Sequence, residues 1–273
     1  MRRLLNVKPQ GGLRLLLGLI PILALLLVYL TASSARHAEN PTDRILPTPV
    51  AMASAVRIMA FEADPRTGEI PLAADTTASL KRLFIGIGLA VATTLILGLT
   101  IGLLPLMRAG LGPVVAAISV IPPIAILPIL FITFGLGETA KIALIFIGIV
   151  PVMVRDLASH VGAIPEEQLV KAQTLGASTW LITLRVALPQ ALPRLIESLR
   201  LSLCPAWVYL ISAEAIAADV GLGYRIFLVR RYLAMDIILP YVVWISLLAV
   251  LMDFALASLS RATFSWAHPA RGR

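Results

Sequence analysis

The chain has 273 residues, of which 59% are hydrophobic and only 14% charged, with mean hydropathy +0.91. A water-facing surface takes roughly 25% charged residues in an ordinary globular chain, so composition excludes a soluble protein and indicates an all-α, polytopic membrane protein. Lys and Arg outnumber Asp and Glu by 23 to 15, giving +8 and a pI near 10.2. In so apolar a chain that surplus fits basic residues flanking membrane spans, and no nucleic-acid partner is expected. The lone Cys204 excludes an internal disulfide and is expected to be a small buried hydrophobe. His37, His160 and His268 are too scattered along the chain to suggest a metal site.

Arg2, Arg3, Lys8 and Arg14 precede the first apolar run and place the N-terminus in the cytoplasm. Arg14–Arg36 encloses 21 uncharged residues, Arg82–Arg108 25 and Arg108–Glu138 29. About 20 helical residues cross a hydrocarbon core, so each run is long enough. Later runs are shorter, with 13 residues in Lys141–Arg155, 13 in Arg200–Glu214 and 16 in Asp236–Asp253. They span only if their terminal charges snorkel or face protein or a watery path. The reading is six spans, near 14–31, 83–104, 113–134, 141–155, 195–218 and 237–259, which returns the C-terminus to the cytoplasm. The organisation follows: an N-terminal cytoplasmic segment and first span over 1–31, an external polar and amphipathic segment over 32–82, a transmembrane domain over 83–260, and a cytoplasmic tail over 261–273.

Within the external segment, Asn40-Pro41 and Leu46-Pro47-Thr48-Pro49 are turn signals, and Val50 to Phe61 has the apolar spacing of a surface-lying helix. Enzyme signatures are missing. There is no H-E-x-x-H, no G-x-S-x-G and no glycine-rich loop before any lysine, so the chain is read as a non-enzyme that binds no cofactor. Glu214, Asp219 and Asp253 are intramembrane or interfacial carboxylates that either pair helices or line a wet path. Glu197 and Arg200, three residues apart, are expected to pair locally. Gly98 and Gly102 have the spacing of close helix packing.

The segment from Pro165 to Pro189 reads as helix–turn–helix. Pro165 suits a first helical position, and Glu166 and Glu167 suit the positive end of a helix. Gly176 fits a left-handed C-terminal cap, which requires φ > 0. Ser178 caps the next helix, which Pro189 interrupts. The physics leaves two readings open, a docking knob for a soluble partner or an ordinary interfacial loop.

This segment resembles the EAA loop of the membrane subunits of bacterial ABC importers, whose pattern is E-A-A-x3-G-x9-I-x-L-P. Aligned on Gly176, the spacing holds to Val186, Leu188 and Pro189, with Ala172 as the second alanine. Val170 stands where Glu is usual and Lys171 where the first Ala is. Leu46-Pro47-Thr48-Pro49, Ile121 to Pro128, Phe134-Gly135-Leu136-Gly137-Glu138, Ala213-Glu214 and Gly221-Leu222-Gly223-Tyr224 are similar to the nitrate/sulfonate/taurine branch of these permeases. Arg225 to Arg231 is similar to members associated with guanidine- or urea-like cargo.

The resemblance implies a permease subunit of an ATP-driven, binding-protein-dependent importer in the bacterial inner membrane. Its implied partners are a cytoplasmic ABC ATPase dimer that uses ATP and Mg, a second permease copy, an external solute-binding protein and the bilayer. The implied coupling loop is about 157–190, with Glu166, Glu167, Lys171, Ala172, Gly176, Ala177, Leu188 and Pro189 as its residues. Pro122, Pro123, Pro128, Pro151, Pro205 and Glu214 are candidates for lining the solute path, because backbone breaks inside a bilayer are tolerated where they face a cavity. Each proline is equally a simple helix kink. An ion-coupled secondary transporter would show internal repeats, and none is visible; an intramembrane enzyme would need a catalytic set that the sequence lacks.

Overall fold

In a computed structural model, residues 11–40, 43–65 and 67–267 are described. The basic residues Arg2, Arg3 and Lys8 and the end of the tail lie outside them. The described residues form α1 (Gly11–Glu39), α2 (Pro49–Phe61), α3 (Pro71–Leu103), α4 (Pro105–Ile118), α5 (Leu127–Phe134), α6 (Glu138–Gly162), α7 (Glu166–Thr174), α8 (Thr179–Ile182), α9 (Leu188–Ala217), α10 (Leu222–Arg230) and α11 (Met235–Thr263). Five helices are long and apolar enough to cross a membrane, and the bent α4–α5 pair makes a sixth crossing.

Prolines set most of the boundaries. Pro105 forces Leu104 into an extended conformation (φ −97°, ψ 113°) and ends α3. It then occupies the first turn of α4, where its missing N–H costs nothing. Arg108 reaches back to the carbonyls of Ile101 and Gly102, placing a cation on the negative end of α3. Pro122 and Pro123 break the next helix, so α4 and α5 meet at 83°. The expected span over 113–134 is therefore two helices, α4 starting earlier at Pro105, joined by a 3₁₀ turn at Pro123–Ile126.

The packing shows which way the chain runs. A Cβ on Gly86 would lie 2.9 Å from Ile145, one on Gly98 2.7 Å from Leu157, and one on Gly102 2.6 Å from Val161. The partners keep a constant offset of 59 residues, so α3 and α6 lie side by side and parallel. Parallel neighbours require the intervening α4–α5 to return the chain across the membrane, which makes the pair a broken span and not a re-entrant loop. Gly98 and Gly102 are thus packing residues within one chain. By contrast, α9 is antiparallel to α6: Tyr209 covers Gly148 while Arg194 meets Asp156. Leu83, Ile145, Met153, Leu157, Leu203 and Leu210 form the core between these three helices.

The helices run beyond the uncharged stretches of the sequence, because charges that bounded them, among them Lys141, Arg200, Glu214 and Asp253, are held in ion pairs. Lys141 meets Glu138 at 2.9 Å, Arg200 meets Asp253 at 2.8 Å, and Arg194 pairs with Asp156. Glu197 and Arg200 do not pair with each other as expected; Glu197 contacts Arg194 at 3.4 Å. The second span's helix starts at Pro71, not 83, so the last quarter or so of the expected external segment belongs to that helix. Cys204 is exposed, not buried.

In the remaining external segment, Thr48 caps α2 through Ala51 N–H. The Ile45 amide and the Arg36 guanidinium hold the Asp43 carboxyl below the usual carboxylate range. Tyr29 donates to the Pro47 carbonyl at 2.7 Å and Ser33 to that of Leu46 at 3.0 Å, tying the end of α1 to the Leu46-Pro47-Thr48-Pro49 turn.

Candidate functional site

Two polar regions stand at opposite ends of the bundle. The first is the hairpin after α6. Pro165 sits at the N-cap of α7, one residue before its expected place, and Glu166 and Glu167 occupy the first turn. At the other end of α7, Gly176 has φ +80°. Ala177 N–H donates to the Ala172 carbonyl at 3.0 Å, the six-residue closure of a glycine C-cap. Ser178 Oγ then accepts from Leu181 N–H at 3.3 Å and starts α8. Nothing lies within 4 Å of a Cβ on Gly176, so glycine is required there by backbone conformation and not by space.

Beyond α8, Thr183–Ala187 forms one wide π turn before α9. Pro189 has no N–H and its ring crowds the carbonyl four residues back; the π turn accommodates both demands while keeping the helix running. Leu188 is half-buried and Pro189 exposed at the base of α9. Gln190 donates to Gln168 at 3.2 Å and links α9 to α7.

No residue of α7 is buried. Glu166, Glu167, Lys171 and Gly176 all face solvent, whereas Ala172 and Ala177 are half-buried. Leu175 is 87% exposed and Trp180 70%. Large apolar side chains are thus bare on both sides of the glycine turn. Val170, in place of the usual Glu, adds apolar surface to the same helix.

The second region lies where α3, α6, α9, α10 and α11 meet. Glu214 is fully buried and both its oxygens are occupied. Arg82 Nη1 donates to it at 2.6 Å, Ser79 Oγ at 2.8 Å and Gly223 N–H at 2.8 Å. Arg82 also donates to Glu138 at 2.5 and 2.9 Å and to the Val220 carbonyl at 2.8 Å. Buried Asp75 accepts from Gly221 N–H at 3.0 Å, Arg225 at 2.8 Å and Tyr241 at 3.0 Å. A Cβ on Gly221, at φ +143°, would lie 2.6 Å from the Glu214 carboxyl. The Gly221-Leu222-Gly223 turn thus presents its amides to two carboxylates where no side chain fits.

Three acids (Asp75, Glu138, Glu214) and three bases (Arg82, Lys141, Arg225) make this cluster neutral. Sequence reasoning found Glu214 and the glycine turn but missed the rest. The available signal was charges set just inside the ends of apolar helices, which need partners there.

The expected pathway residues do not converge on one place. Glu214 belongs to the cluster just described, where it is fully buried and each of its oxygens accepts from a buried donor. Pro122, Pro123 and Pro128 lie on the broken α4–α5 element. Pro151 is half-buried inside α6, and Pro205 lines a cleft of about 180 Å³ between α6 and α9. Arg225 is engaged by Asp75 and Arg230 lies 4.9 Å over the Phe227 ring, so both serve local structure. Among the described residues no group of His, Cys, Asp and Glu could hold a metal ion.

Residues 82–265 match the family described as binding-protein-dependent transport system inner membrane component. The taurine transport system permease protein TauC of Escherichia coli K12 is 35% identical over 189 residues, 69% of each chain. The nitrate import permease protein NrtB of Synechococcus elongatus is 31% identical over 148 residues, 54% of this chain and 53% of that one. A chain of the MetNI methionine ABC transporter, solved in inward-facing conformations, superposes with a TM-score of 0.61 at 23% identity, covering 70% of this chain and 94% of that chain; this likeness shows the fold alone. The matched range takes in the hairpin and all of the buried cluster except Asp75 and Ser79, and the resemblance of the motifs to the nitrate/sulfonate/taurine branch is upheld. The chain is an inner-membrane permease component of the binding-protein-dependent ABC transport family.

Proposed function

We propose that this permease works as one of two identical copies in an importer for a small solute with a compact oxoanion group, of the nitrate, sulfonate or taurine kind. A separate cytoplasmic ATPase pair uses ATP and Mg, docks on α7 and drives the change of state, and an external binding protein delivers the solute. The observation that carries the reading is the hairpin, an exposed helix with bare Leu175 and Trp180 around a left-handed glycine, set rigidly at the base of α9. Motion of such a knob is passed to α9 as a near-rigid body, the usual way a local event moves a packed element. The N- and C-termini lie in the cytoplasm with the hairpin.

The solute class rests on two points. The relatives carry taurine, which bears a sulfonate, and nitrate. Two of the three arginines that suggested a guanidine- or urea-like cargo, Arg225 and Arg230, have structural partners instead. Nor does Glu214 oppose an anion, since Arg82 neutralises it.

The test is uptake by proteoliposomes holding the permease with its ATPase. Labelled taurine and nitrate should enter only with ATP on the hairpin side and binding protein on the other. Uptake driven by an ion gradient without ATP would replace this reading with a secondary transporter.

A further inference from the structure

The seam between α6 and α9 differs from the rest of the interior. Its cleft of about 180 Å³ is walled by Gly148 and Asp156 from α6 and by Ser198, Ser202, Pro205 and Tyr209 from α9. The four α9 residues are spaced by four, three and four, one face of a helix, and extend over about 16 Å of its length at 1.5 Å per residue. The aromatic ring of Tyr209 rests on Gly148, where a Cβ would lie 2.4 Å away. Glycine at 148 therefore seats the tyrosine in the seam.

The hydroxyls there are buried yet open to a cleft, whereas Thr94, which also lacks a partner among the described residues, is sealed in the core. Helical Ser and Thr commonly bond to the carbonyl one turn back, and Thr77, Thr100, Thr133, Thr183, Ser212 and Ser246 all do. Ser198 and Ser202 do not, although the residues are only 4% and 6% exposed. With Tyr209, they have no hydrogen-bond partner among the described residues, and their oxygens open onto the cleft and are not sealed in the core. An unpartnered hydroxyl at membrane depth is costly unless water or a solute meets it.

Charge is absent from the seam except at one end, where Arg194 neutralises Asp156. On its open side Leu201 is 74% exposed, where a second copy would complete the wall. Neutral hydroxyl donors can replace the hydration water of an oxoanion without holding it as a fixed arginine would, and conduction requires binding weak enough to leave.

We propose that this seam is the solute-contacting wall of the pathway, and that Ser198, Ser202 and Tyr209 set its preference for compact oxoanions. The proposal rests on the transport reading above. It locates the path on α6 and α9 and keeps Pro205 in it. Glu214 and the prolines of α4–α5 fall outside.

The experiment uses the assembled transporter, ATPase included, in vesicles, with exposed Cys204 first changed to Ser. Ser202→Cys, a nearly isosteric change, is probed with two methanethiosulfonates, one bearing a sulfonate and one a trimethylammonium. Each rate is divided by the reagent's rate with free 2-mercaptoethanol. Ser202→Cys should react, with a normalised preference of ten-fold or more for the sulfonate, while Val250→Cys, at an exposed apolar position midway along α11, stays inert. Tyr209→Phe added to Ser202→Cys should cut that preference at least three-fold. An inert Ser202→Cys overturns the seam as pathway. Equal rates or a preference for the cation overturn the oxoanion assignment, and an unchanged preference with Tyr209→Phe removes the tyrosine from it. None of these outcomes bears on the importer reading, which depends on ATP-driven uptake by the unsubstituted protein.

Discussion

At one end of the bundle, Glu214 and Asp75 are fully buried and each accepts several hydrogen bonds from other helices and from the glycine turn. At the other end, α7 buries no residue and leaves Leu175 and Trp180 bare. The same physics produced both. Charges removed from water must be paired, so the first region over-determines the positions of five helices and locks them. Apolar side chains stay bare at the second region, which on the proposed reading is where the ATPase docks. On the proposed reading, the buried cluster is the fixed reference and the exposed hairpin, tied to α9 through Gln190 and Gln168, is the input.

The largest expected effect breaks the fixed end. Arg82→Met leaves Glu214 buried without its cation, and breaking a buried pair from one side costs about 3–5 kcal/mol. Unfolding in mixed detergent micelles should show that loss, or the protein should fail to accumulate. Glu138→Gln should cost far less, because Glu138 is 57% exposed on its side chain and water replaces part of the contact.

A smaller effect tests the parallel packing that links the two ends. Gly98→Ala drives a methyl to 2.7 Å from Leu157, an overpacking worth about 1–3 kcal/mol. Gly112→Ala, with nothing within 4 Å, should leave unfolding unchanged. If both substitutions behave alike, α3 and α6 are not held in that register.

The smallest effect is at the loose end. Ser178→Ala removes the cap of α8, costing about 1 kcal/mol. Its mark should be faster amide exchange over 178–182 with global unfolding intact. Which end faces the cytoplasm is open to thiol labelling in a Cys204→Ser background. Thr67→Cys should react with an impermeant reagent added outside and Thr174→Cys should not.

Much of this was legible in the residues. The hairpin's limits, the positive φ of Gly176 and the Ser178 cap follow from local chemistry, which acts over a few residues. The crossing count is also local, because it depends on run length. What escaped was non-local. Lys141, Arg200 and Glu214 cut the uncharged runs short because their partners, Glu138, Asp253 and Arg82, lie on other turns or other helices and do not show in the sequence. The unbonded hydroxyls of Ser198 and Ser202 were invisible for the same reason, since only the packed neighbour shows that their carbonyl bonds are not made. For the third span the break at Pro122 and Pro123 was legible, but the 83° bend was not, since it depends on how α4 and α5 settle against α3 and α6.

The central claim, that the hairpin couples an ATPase to transport, is tested most directly by Gly176→Val. At φ +80° a β-branched residue is strained by about 1–3 kcal/mol, which a fold spread over six crossings should survive while α7 is re-aimed. In proteoliposomes at equal permease abundance, ATP-dependent uptake and ATPase association should fall to background, with Gly112→Ala at the level of the unsubstituted protein. Uptake by Gly176→Val at that same level, from normally inserted protein, would contradict the assignment.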